Sequence, residues 1–110
     1  MSERDLGTQP LDGLMETWGL TNHDLVEASP ERLTHKQVRR ARTGRMLTLK
    51  MMMKVNRAFN IAIWRRLADE QKEAFVEYGH KDLFDYAKGH ERGVFDANAE
   101  LAATIKKTSN

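Results

Sequence analysis

Cysteine is absent from this sequence, which excludes a disulfide frame and any thiolate metal site and agrees with a reducing compartment. Long apolar runs are absent too. No window approaches the roughly 18 uncharged residues that a membrane-spanning helix requires. The first six residues are polar and acidic rather than basic and then apolar, unlike a secretory leader. A cytoplasmic protein with no membrane contact is expected. Two prolines and seven glycines leave few breakers, and no internal repeat, low-complexity run or strand-like alternation stands out. With 110 residues, 40% hydrophobic and 31% charged, the chain suits one globular domain with one core and short tails.

The remaining absence is local. From residue 32 to residue 66 there are eleven Lys or Arg and not one Asp or Glu, although the whole chain carries a net charge of only +2. Residues 1–31 hold one Arg against seven acids, and residues 67–110 hold six bases against nine acids. A solvated helical face normally mixes both signs. Segregation of this kind points to an anionic partner for the middle block.

Apolar spacing divides the chain. Residues 1–8 carry no periodic signal and read as a flexible tail. Pro10 opens a first helix with Leu11, Leu14, Met15 and Trp18 on one face and Gly19 at its end. Thr21 or Asn22 caps a second, short helix with Asp24 in its first turn and Leu25, Val26 and Ala28 inside. Pro30 in Ser29-Pro30-Glu31-Arg32 imposes a turn. Thr34 caps a third helix over residues 34–43, stopped by Gly44, in which Leu33, Val38 and Ala41 face inward and His35, Lys36, Gln37, Arg39, Arg40 and Arg42 form a wide basic surface. Thr48 caps a more hydrophobic fourth helix that runs on past Phe59 or breaks near Asn60. Residues 65–89 add helical pieces around Phe75, Tyr78, Phe84 and Tyr86, separated by Gly79. Residues 90–110, with Val94, Phe95, Leu101 and Ile105 as their larger apolar residues, read as a weakly helical or flexible tail. The expected fold is therefore all-α: a compact bundle of about five short helices with a helix-turn-helix, whose domain spans residues 9–64, plus a C-terminal helical extension.

Two helices joined by a turn, the second basic outside and narrowly apolar inside, form the arrangement that sets a helix into the major groove of DNA. The run Gly19-Leu20-Thr21-Asn22-His23-Asp24-Leu25-Val26 and the run Leu33-Thr34-His35-Lys36-Gln37-Val38-Arg39-Arg40-Ala41-Arg42-Thr43-Gly44-Arg45 carry a resemblance. Together with residues 49–60 and their Lys54-Val55-Asn56-Arg57-Ala58-Phe59 rhythm, they resemble the lambda-repressor-like, or Xre-type, helix-turn-helix family over about half of the chain. The resemblance implies that His35, Lys36 and Arg40 read base edges with Gln37 and Arg39 beside them. It implies phosphate contacts from Asn22, Thr34, Arg42, Thr43 and Arg45, and double-stranded DNA bound as a homodimer. The sequence departs from the family pattern in a turn about two residues longer between Val26 and Leu33, in Pro30 where a glycine is common, and in Asn22 where glutamine is usual.

Other residue clusters have plainer readings. His23, His35, His80 and His90 lack metal-ligand spacing and read as surface groups, so no metal or cofactor is expected. Met46, Met51, Met52 and Met53 read as a gap-filling core. Asp69, Glu70, Glu73 and Glu77 surround Lys72 as on a solvated helix, with no nucleophile or phosphate loop beside them, and no enzyme is expected. Trp18 and Trp64 read as structural, with an interface role open to Trp64 if exposed. Phe75, Tyr78, Phe84 and Tyr86 either cap the core or make the dimer contact, with dimerisation slightly favoured. A DNA-binding transcriptional regulator is the leading functional reading. The alternatives are an antitoxin whose C-terminal half, residues 67–105, covers a toxin, and a module that docks its basic helix on protein or RNA.

Overall fold

The computed structural model describes residues 6–91 and 96–108, with side chains to residue 105. Residues 1–5 of the expected tail, and Val94 and Phe95, lie outside the described residues. Among the described residues there are seven helices and no strand: α1 (Pro10–Trp18), α2 (Asn22–Ala28), α3 (His35–Thr43), α4 (Leu49–Trp64), α5 (Asp69–Ala74), α6 (His80–Leu83) and α7 (Ala99–Thr108). The protein is an all-α bundle.

Local chemistry explains where the helices begin and end. Pro10 starts α1, and Gly19 at φ 68° closes it, a left-handed conformation that costs glycine nothing. At α2 the Thr21 hydroxyl accepts from the Asp24 amide while the Asp24 carboxylate accepts from the Thr21 amide. Such a reciprocal box satisfies two amides that the helix start leaves orphaned. Thr34 and Gln37 repeat the device at α3. Gly44 ends α3 at φ 104°, and a Cβ there would overlap the backbone of Gly7. α4 continues without a break past Asn60 to Trp64.

α4 is the spine. It packs against α2, α3 and α6, while α1 packs against α3, α6 and α7. Its buried face carries Met52, Val55, Phe59 and Ile63, close to the one-turn spacing that turns a helix stripe toward a core. Trp18, Phe59 and Phe84 are among the largest fully buried side chains, and Trp18 meets Phe75 edge to face with centroids 6.0 Å apart.

The C-terminal residues belong to this same core. Tyr78, Leu83, Phe84, Ala87, Ala102 and Ile105 are buried in one cluster with the side chains of α1 to α4. Tyr78 and Phe84 therefore cap the core of their own chain and are not a dimer surface, and Phe75 and Tyr86 are half-buried against it. The link between α5 and α6 is held by side-chain amides. Asn60 accepts from the Tyr78 amide (2.8 Å) and donates to its carbonyl (2.9 Å), and Asn98 does the same to Val76 at 2.8 and 2.6 Å. Each carboxamide substitutes for a neighbouring strand, so the buried backbone polar groups find partners. The Trp18 indole donates to the Tyr78 hydroxyl (3.2 Å), which donates to Asp96 (2.8 Å). Burial pushes that hydroxyl well above its ordinary range; the bonds with Trp18 and Asn98 oppose the shift and Asp96 adds to it.

Two further expectations change. Residues 6–8 run along the end of α3, where the Leu6 amide donates to the Gly44 carbonyl (2.7 Å) and the Gln9 amide to that of Arg42 (3.0 Å). Of the four methionines assigned to the core, Met52 is buried and Met51 half-buried, whereas Met46 and Met53 are exposed.

Candidate nucleic-acid interface

α3 has an inner stripe and an outer face, as its sequence implies. Val38 and Ala41 are buried, and His35, Lys36, Arg39, Arg40 and Thr43 are exposed. The six residues before it form an ordered turn. Ser29 Oγ accepts from the amides of Glu31 (3.1 Å) and Leu33 (3.3 Å), Arg32 takes the left-handed conformation at φ 57°, and buried Leu33 plugs the turn into the core. Glu31 pairs with Arg57 of α4. His23 and His35, at the starts of α2 and α3, stack with centroids 5.6 Å apart and planes 17° from parallel, which brings the two helix N-termini together at one exposed edge.

The sequence-assigned residues do not share one environment. Arg42, expected at phosphate, turns inward: its Nε donates to Asp12 (2.7 Å) and its Nη1 to Asn22 Oδ1 (2.8 Å). It therefore ties α3 to α1 and α2, and its partner Asn22, also expected at phosphate, is half-buried. Gln37, expected at bases, has its Oε1 folded back on the Thr34 amide (3.0 Å), leaving the amide nitrogen as its outward donor. The Thr34 hydroxyl is the cap itself, and the Thr43 hydroxyl donates back to the Arg39 carbonyl (3.1 Å). His35, Lys36, Arg39 and Arg40 face solvent, and Arg45 is half-buried beside them in the chain.

The eleven cations of the acid-free block divide in the same way. Arg42, Arg57 and Arg66 pair with Asp12, Glu31 and Asp24, and Arg65 donates to the Glu27 carbonyl (3.1 Å). Arg66 also reaches the Trp18 carbonyl (3.4 Å), so these last two close the C-terminal ends of α2 and α1, where cations are favoured. Burial works against ionisation of Asp24, but the Thr21 amide and hydroxyl, with Arg66 beside them, hold its carboxyl below the ordinary 3.8. The side chains of Arg32, Lys36, Arg39, Arg40, Arg45, Lys50 and Lys54 make no ion pair or hydrogen bond among the described residues.

Sequence reasoning missed the residues that hold this surface in place. Asp12 fixes Arg42, Ser29 orders the turn, and the Tyr86 hydroxyl accepts from the Leu47 amide (3.0 Å) and donates to the Arg45 carbonyl (3.3 Å), pinning the loop after α3. A Thr-x-x-Gln spacing at Thr34 and Gln37 signals the capping box; no sequence signal marks Asp12 or Tyr86, which act across 30 and 41 residues. Opposite charge collects elsewhere, around an open cleft of about 800 Å³ whose lining includes Glu77, Asp82, Asp85, Glu91 and Asp96. No group of three or more His, Asp or Glu among the described residues is placed to hold a metal, and none of the helices is long and apolar enough to cross a membrane.

No protein-family model, curated protein or solved structure matches this chain.

Proposed function

We propose that this chain is a sequence-specific DNA-binding regulator that lays α3 in the major groove. The observation that carries this reading is the division of the basic block: Arg42 anchors the helix from within, while His35 stands outward stacked on His23 and Lys36, Arg39 and Arg40 stand outward with no ion pair or side-chain hydrogen bond among the described residues. A groove reader needs a helix fixed against its support and side chains free to meet base edges. Arg40 and Lys36 offer donors to the acceptors of a guanine edge, and a good bidentate contact is worth about 1–3 kcal/mol of discrimination. Arg45 supplies charge beside the helix for phosphate, and phosphate contacts set register and carry most of the salt dependence. Binding as a homodimer on two half-sites completes the reading.

The test compares two variants on a selected site and on random duplex, with affinity read by fluorescence anisotropy. Arg40→Ala lowers affinity for the selected site by about tenfold or more and leaves random binding much less affected. Arg45→Ala weakens both about equally. Equal losses in both variants would remove α3 as the reading element.

A further inference from the structure

The outward side of α4 is not dressed as an ordinary solvated face. Leu49 and Trp64, the first and last residues of this 16-residue helix, are 56% and 45% exposed, and Met53 is 45% exposed. With half-buried Ile61 they rise along the helix at spacings of four, eight and three residues, the kind of ridge that fits into the groove of another helix. Beside Ile61 and Trp64 a hollow of about 230 Å³ is also lined by Phe75 and Glu77. Exposed apolar groups at both ends of one helix face mark a contact.

Charge identifies what covers it. The N-terminal half of the ridge is flanked by Lys50 and Lys54, neither with an acidic partner among the described residues. The C-terminal end adjoins Glu77 at the hollow and α5, whose Asp69, Glu70 and Glu73 outnumber its Lys72, which sits over the Trp64 ring and pairs with Asp69; Arg65, next after Trp64, is turned to the Glu27 carbonyl. The middle is Arg57, already matched by Glu31 of its own chain. A partner of one sign would suit one end and be repelled by the other. A ridge that is basic at one end, acidic at the other and neutralised at its centre is complementary to itself when reversed.

We propose that the exposed ridge of α4 is the face on which a second copy of this chain docks, with the two α4 helices antiparallel. A two-fold axis near the helix midpoint sets Leu49 against the partner's Trp64 and Met53 against the partner's Ile61, twice over, as an isologous contact requires. The same operation brings Lys50 and Lys54 to the partner's acidic end. This names the surface of the homodimer in the reading above, and its test contains no DNA, so its failure and the failure of groove binding are separate results.

Sedimentation equilibrium of the full chain, from micromolar to near-millimolar concentration, gives a monomer–dimer equilibrium that tightens as salt is lowered. Met53→Asp and Trp64→Ser abolish the dimer while the circular dichroism stays native, since both side chains are substantially exposed. Two charge-reversed chains, Lys50→Glu with Lys54→Glu and Glu73→Lys with Glu77→Lys, each lose self-association, and their mixture regains a dimer because each end then meets its opposite. A monomer at every concentration, or a dimer that survives both Met53→Asp and Trp64→Ser, overturns the proposal. A mixture that stays monomeric overturns the antiparallel arrangement.

Discussion

Arg40 and Arg42 stand two residues apart on one helix, and the chain treats them as different materials. Arg42 lies between α1 and α2, with Asp12 and Asn22 on its guanidinium and its side chain 21% exposed. Arg40 points outward and contributes its carbonyl, not its side chain, to the bonds that end α3. The contrast extends through the acid-free block, where four arginines fasten helices together and seven cations remain available. Net charge on a segment is thus an upper bound on what it offers a ligand. The lower figure depends on which acids the fold returns to it from elsewhere in the chain.

Substitution breaks the comparison most sharply at its two ends. Arg42→Ala leaves Asp12 without its partner and unfastens α3, costing about 1–3 kcal/mol of stability, read as a fall in Tm of at least about 4 °C. Arg40→Ala stays within about 0.5 kcal/mol of the parent. Equal stability losses would mean that the two residues share one role. A milder effect is expected at Tyr86, whose hydroxyl pins the loop after α3. Tyr86→Phe keeps the ring and leaves the Leu47 amide without its acceptor, costing about 1 kcal/mol, and amide hydrogen exchange at Leu47 accelerates. Unchanged protection there would show that the hydroxyl bond does not hold the loop.

The smallest effect is one of pH. Because the folded-state carboxyl of Asp24 lies below its ordinary 3.8, ionised Asp24 contributes stability that is present above that value and is lost as pH falls through the lower folded value. Asp24→Asn removes this contribution, so the difference in unfolding free energy between parent and variant narrows as pH drops below 3.8. A difference that does not change with pH would separate Asp24 from the charge network.

How far the fold was legible follows from the range of each interaction. The starts of α2, α3 and α4, the glycines that end α1 and α3, and the inward Val38 and Ala41 rest on contacts within a turn or two, and periodicity with capping rules reaches that far. The pairing of Asp12 with Arg42 spans 30 residues and that of Gln9 with the Asp85 amide spans 76, distances at which nothing local marks a partner. That is why Arg42 reads as a phosphate ligand in the sequence and as a clamp in the structure. It is also why residues 65–89 look like an appendage until Asn60 and Asn98 hold their backbone against the core. Trp64 shows the reverse case: its apolar character suggests burial, and only its place on the outer side of α4 reveals an exposed ring.

The central claim, that a defined set of free cations on and beside α3 meets the DNA backbone and base edges, is tested most directly by the salt dependence of binding. Anisotropy with random duplex, titrated across a salt series, gives a straight line of log K against log salt. If all seven free cations met phosphate, the slope would be about −6; a groove-bound α3 that keeps some of them for bases gives a shallower value. Arg45→Ala makes the slope shallower by about one, whereas Arg57→Ala leaves it unchanged because Arg57 is held by Glu31. Absence of binding at low salt, or a slope that Arg45→Ala leaves unchanged, would contradict the account.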